Sequence, residues 1–174
     1  LFPILIATSC QEGRTTDVYS VNGVIKNMPD STKVEMYLDM DTILDSTIVI
    51  NEKFQFKGEV KRPTRVVLRI ESTRDSKTFW LENQRIDIIG EKGNMTNSIV
   101  VGSKTQKEAE LLLERKDSIY REMEKLGDML TESNMDSLFA INEQMVDVEA
   151  EITKGFIKDY PDSYESLTAL ESSA

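Results

Sequence analysis

The sequence predicts an α+β protein: an antiparallel β-sandwich or small barrel followed by an antiparallel αα-hairpin. Apolar residues recur with period two from Tyr19 to Ile88, and with a period of three to four from Ala109 to Phe156, so strands give way to helices. The change falls at Gly102-Ser103. Charge divides at the same place. Residues 1–102 hold 13 basic and 14 acidic side chains, and residues 103–174 hold 8 and 17. Most of the chain's net charge of −10 therefore belongs to the helical part.

The N-terminal ten residues form an apolar run, Leu1-Phe2-Pro3-Ile4-Leu5-Ile6, then Ala7-Thr8-Ser9 and Cys10. An apolar core followed by small residues is the tail of a secretory signal, and a cysteine at the cleavage point reads as a lipoprotein signal. Residues 1–10 are thus read as a lipoprotein signal remnant with Cys10 as the lipidated residue. The alternative is a hydrophobic first strand ending in a buried cysteine. Residues 11–16 are polar and read as a tether.

Residues 17–102 carry the strand pattern. Tyr19/Val21, Val34/Met36/Leu38, Phe54/Phe56, Val66/Leu68/Ile70 and Ile86/Ile88 each alternate with polar residues, as half-buried antiparallel strands do. Turn chemistry separates them at Met28-Pro29-Asp30-Ser31, Asn51-Glu52, Arg62-Pro63, Glu82-Asn83-Gln84 and Lys92-Gly93-Asn94. Seven or eight short strands spaced this way argue a sandwich or small barrel. Residues 103–160 then read as the hairpin. Ala109, Leu112, Ile119, Met123, Leu126 and Leu130 share one helical face, interrupted by Lys116. Leu138, Ile141, Met145, Val148, Ile152 and Phe156 continue the pattern after Thr131-Glu132-Ser133-Asn134. Ser133 with Asp136 resembles a capping box, and Pro161 stops the second helix. Residues 161–174 are read as a short third helix and the start of a connection to a further domain.

Composition excludes much chemistry. There is no histidine and no thiol beyond Cys10, which removes Ser-His and Cys-His nucleophiles, CxxC redox pairs and thiolate zinc sites. No cofactor motif is present. An acidic chain is a poor partner for nucleic acid, whose phosphates need a basic surface. No second apolar run approaches the roughly 18 residues that span a bilayer, so membrane attachment would run through Cys10.

The order of these features resembles a known arrangement. Asn22-Gly23-Val24-Ile25 opens a strand. Phe54-Gln55-Phe56-Lys57-Gly58 follows, with Pro63 soon after, then Phe79-Trp80-Leu81-Glu82. Val101-Gly102-Ser103 leads into the hairpin, which ends on Phe156-Ile157-Lys158-Asp159-Tyr160-Pro161-Asp162-Ser163. This is similar to the N-terminal domain of unknown function in front of the thioredoxin-like domain of TlpA/ResA-type thiol-disulfide oxidoreductase lipoproteins. The resemblance implies a non-catalytic module in the cell envelope, periplasm-facing or on the outer-membrane surface, that positions a C-terminal thioredoxin-like domain. The CxxC chemistry of that family has no counterpart here. A stand-alone envelope lipoprotein that binds a peptide or glycan on its sheet face or edge is the other reading.

Few residues stand out as sites. Asp39, Asp41 and Asp45 fit positions 1, 3 and 7 of an EF-hand count, but Leu44 and Ile50 stand where that loop needs Gly and Glu, which leaves a solvated turn. The basic set Lys57, Lys61, Arg62, Arg65, Arg69, Arg74 and Lys77 reads as the polar face of adjacent strands, with Arg65 and Arg69 as candidate partner contacts. Trp80 lies between Phe79 and Leu81, so one strand face shows a large aromatic to something other than the sandwich core: the hairpin, or a partner. The hairpin itself is a spacer or a homodimer contact.

Overall fold

The computed structural model describes residues 17–39, 41–71, 73, 75–129, 131 and 135–172, without the Ser137 side chain. Cys10, the tether at 11–16, Arg74 and Ser133 lie outside the described residues. The chain forms two compact units that divide between Ser103 and Lys104.

The first unit is a sandwich of two four-stranded sheets. One sheet has the order β4-β1-β7-β8, from β1 (Tyr19–Lys26), β4 (Lys53–Gly58), β7 (Arg85–Glu91) and β8 (Ile99–Val101). The other has the order β3-β2-β5-β6, from β2 (Lys33–Tyr37), β3 (Ile43–Ile48), β5 (Thr64–Ile70) and β6 (Ser76–Leu81). The period-two pattern sets the inner faces. Val21, Ile25, Phe56, Ile86 and Ile88 come from the first sheet, and Val34, Met36, Val66, Leu68, Ile70, Phe79 and Leu81 from the second. Burying each such side chain contributes roughly 1.5–3 kcal/mol. Asn51 and Glu52 both hold positive φ, 50° and 61°, as a two-residue hairpin turn with matching twist requires. That turn carries the chain from β3 in one sheet to β4 in the other.

One pairing departs from the all-antiparallel expectation. β1 and β7 run parallel, with Val21 opposite Ile86 and Gly23 opposite Ile88. Parallel neighbours need a long crossover between them, and here the whole second sheet lies in that connection. Within β1, Gly23 is no turn glycine: it faces Phe54 across the ladder, and a Cβ there would enter the Phe54 ring. A single 3-10 turn at Met95–Asn97 buries Met95, and its Thr96 carbonyl accepts a hydrogen bond from Lys77 Nζ of β6 at 2.9 Å.

The second unit holds α1 (Lys104–Asp128), α2 (Met135–Asp159) and α3 (Tyr164–Ser172). Contacts of Tyr120 with Glu149 and of Arg115 with Asp159 show that α1 and α2 run antiparallel. Leu112, Ile119, Leu138 and Phe156 are buried in it. Lys116, which interrupts the apolar stripe, donates to Glu149 Oε1 at 3.0 Å. Ser163 caps α3, its Oγ accepting from the Glu165 amide at 3.2 Å, which satisfies one of the orphan donors of a helix start. No described helix is long and apolar enough to cross a membrane.

Candidate functional site

The outer face of the β4-β1-β7-β8 sheet is built from residues that alternate with the core. Two rows cross its strands. Gln55, Asn22, Asp87 and Val101 form one; Lys53, Val24, Ile89 and Ile99 form the other. The first row is a hydrogen-bonded chain. Gln55 Nε2 donates to Asn22 Oδ1 at 2.6 Å, and Asn22 Nδ2 donates to Asp87 Oδ1 at 3.3 Å. Arg85 Nε closes the chain on Asp87 at 3.0 Å, and that hydrogen bond raises the arginine pKa. The second row is charged at Lys53 and apolar from Val24 to Ile99, and its far end is open: Ile89 is 48% exposed and Ile99 61%. The β3–β4 turn walls one side with Ile48 and Ile50, both exposed. Apart from Ile99, which lies outside it, these residues line a groove of about 750 Å³. Scattered exposed aliphatics are ordinary, but a contiguous apolar strip beside fixed polar groups is what binding surfaces show.

The outer face of the other sheet is a closed charge network. Glu35 is buried and accepts from Lys33 Nζ and Tyr37 Oη, each at 2.6 Å. These two bonds hold its carboxyl below the usual glutamate range, and raise Lys33 and Tyr37 in turn. Arg69 stands opposite Glu35 in the ladder, with its guanidinium 4.3 Å from the Tyr37 ring centroid. Of the residues predicted as partner contacts, Arg69 is thus engaged within its own sheet, and Arg65 is exposed beside Trp80 across the ladder. Trp80 is 6% exposed and lies outside the sandwich core cluster. Cys10 lies outside the described residues.

The aspartate loop is a turn. Asp39 Oδ1 accepts from the amides of Asp41 and Thr42, and Oδ2 from the Thr42 hydroxyl. The backbone amides, Asp41's first, lower its pKa. This is the side-chain-to-backbone bonding by which aspartate starts turns. Among the described residues no group of three His, Cys, Asp or Glu side chains could hold a metal ion.

A family profile, that of the domain of unknown function DUF4369, matches residues 19–109. The chain belongs to this family. The DUF4369 match spans β1 to β8 and ends within the first turns of α1, so it takes in the groove and both outer sheet faces. No curated protein and no solved structure is detectably similar to the chain.

The groove escaped the sequence reading for a physical reason. Its walls come from β3, β4, β1, β7 and β8, and the parallel β1–β7 pairing that sets their order leaves no local signature. The one available signal was the set of β-branched residues at outward positions, Ile48, Ile89 and Val101, where a solvated face carries polar groups.

Proposed function

We propose that the chain is the non-catalytic, lipid-anchored N-terminal module of a thiol-disulfide oxidoreductase-like lipoprotein. In this reading it is tethered to the envelope membrane through Cys10 and positions a C-terminal thioredoxin-like domain that this chain does not contain. The observation that carries it is the sequence itself: an apolar run and small residues lead into the only thiol, and histidine is absent throughout. A single thiol at a tether has no resolving partner for disulfide exchange.

The test is fractionation of cells that make the native protein and its Cys10→Ser variant. The wild type partitions with membranes and the variant moves to the soluble periplasm, because the several acyl chains of a lipoprotein are what anchor it. Identical partitioning of the two would end the lipoprotein reading.

The groove supports a second reading, an envelope lipoprotein that binds a peptide or glycan on the sheet face. A defined ligand whose retention by the native protein is lost on Ile89→Asp would favour it, since that substitution places a charge in the apolar row without touching the core.

A further inference from the structure

The hydrogen bonds of the groove's polar row run in one direction and leave one end open. Asn22 fixes the direction. Its amide nitrogen donates to the Ser20 carbonyl at 3.4 Å and to Asp87 Oδ1 at 3.3 Å, which leaves its oxygen to accept from Gln55 Nε2. Asp87 in turn accepts from Arg85 Nε on both carboxylate oxygens, at 3.1 and 3.0 Å. The aspartate is therefore satisfied within the sheet. The arginine is not. Its side chain is 75% exposed, and among the described residues its Nη1 and Nη2 bond to nothing. Arg85 stands two residues before Asp87 on the same face of β7, so the bond between them leans the guanidinium along the strand into the groove, which it lines. An arginine held through Nε keeps the two terminal N–H groups that grip a carboxylate with parallel bonds.

Charge and length select the occupant. The chain carries a net charge of −10, yet the charged residues that line the groove are Lys53, Arg85 and the already satisfied Asp87. Among the described residues Lys53 forms no ion pair. The groove is thus a cationic strip on an acidic molecule, which favours an anion. Apolar walls stand at its two ends, Ile48 and Ile50 beside β4, and Ile89 and Val101 on β7 and β8. From β4 to β8 is three strand spacings, about 14 Å. Side chains at i and i+4 of an extended chain share one face about 13 Å apart, with i+2 between them.

We propose that the groove binds an extended peptide segment by a carboxylate side chain, held between Arg85 and Lys53, with an aliphatic side chain two residues to either side on the apolar walls. Gln55, Asn22 and Asp87 are positioning residues that aim the guanidinium. An anionic glycan would satisfy the two cations but not the aliphatic walls, and Phe54, the aromatic residue of the lining, is buried and offers no ring for a sugar to stack on.

The proposal rests on the reading of the groove as a binding face, and one titration separates the two. The full chain is mixed with two capped peptides, isoleucine-threonine-aspartate-threonine-valine and its isosteric asparagine counterpart, and NMR follows the side-chain signals of Asn22, Gln55 and Arg85. The aspartate peptide is expected to move these signals and to bind at least about 10-fold more tightly than the asparagine one, as a charge-assisted pair does. Its affinity falls as salt rises. Arg85→Gln, at an exposed side chain, removes the preference, and Arg85→Lys restores it only in part because an ammonium lacks the fork. Equal affinity for two peptides that both lose binding on Ile89→Asp would overturn the carboxylate recognition and leave the groove a binding face. A preference that survives Arg85→Gln would also overturn it. Signals moved by polygalacturonate and by neither peptide would overturn the peptide as occupant. No response to any of the three would overturn the binding face together with the proposal.

Discussion

Gly23→Ala sets two physical effects against each other in the centre of the sandwich. A glycine inside a strand costs conformational entropy, and replacing it with alanine ordinarily stabilises by roughly 0.5–1 kcal/mol. Here a Cβ would enter the Phe54 ring, which is itself 5% exposed and packed edge-on against Phe56 at 5.6 Å between centroids. The ring must shift to admit it, and overpacking of this kind costs about 1–3 kcal/mol. Set against the entropic gain, packing wins and the net loss is on the order of 1 kcal/mol. For a chain of this length that lowers the melting temperature by about 2–4 °C, and in urea it lowers the midpoint without changing the slope. Shrinking the ring relieves the conflict, so Gly23→Ala with Phe54→Leu costs less than the two separate losses combined. A Gly23→Ala protein as stable as wild type, or more so, would refute the packing argument and leave entropy as the dominant effect.

Three further outcomes follow from the same reasoning. Phe156 is fully buried, stacked on Tyr160 at 4.9 Å and lying 5.6 Å from the Arg115 guanidinium; Phe156→Ala costs about 3–5 kcal/mol, read as loss of helical signal on heating, and a loss under 1 kcal/mol would contradict it. Burial first, and then its bond to Glu149, push the Tyr120 hydroxyl up to about 12; the unfolded chain ionises it earlier, so stability is lost as pH rises from the ordinary tyrosine range toward that value. Tyr120→Phe removes that part of the alkaline slope in urea midpoints taken across the range, and an unchanged slope would count against it. Glu35 is held low by Lys33 and Tyr37, so its contribution is present above the ordinary glutamate range and lost as pH falls through its depressed value; Glu35→Gln is less stable near neutrality and converges with wild type in acid, whereas parallel curves would contradict this.

Alternation read β1, β2, β4, β5 and β7 from the sequence because each buries every second residue against one core. The turn at Asn51-Glu52 was legible because asparagine tolerates the left-handed region. β3 was not, since its exposure runs without any buried alternate: it is an edge strand. β8 has three residues, too few for a period. The parallel β1–β7 pair depends on where the second sheet returns the chain, and no local pattern carries that. Lys116 looked like a break in the α1 stripe because its counter-charge, Glu149, lies on the other helix. The Arg65/Arg69/Trp80 grouping came from neighbouring positions on two strands, but Arg69 finds its partner on β2, which no spacing in sequence announces.

The account rests most on the claim that this chain is an anchored, non-catalytic part of a redox lipoprotein. The native gene product, purified from cell envelopes, tests it through its intact mass and its insulin-reducing activity measured together. The account predicts an acylated Cys10 at the N-terminus, a mass exceeding that of these residues by a thioredoxin-like domain with a CxxC pair, and turnover that disappears when that pair alone is replaced. A product that ends near Ala174 and fails to reduce insulin would contradict it, and so would turnover that survives loss of every cysteine but Cys10.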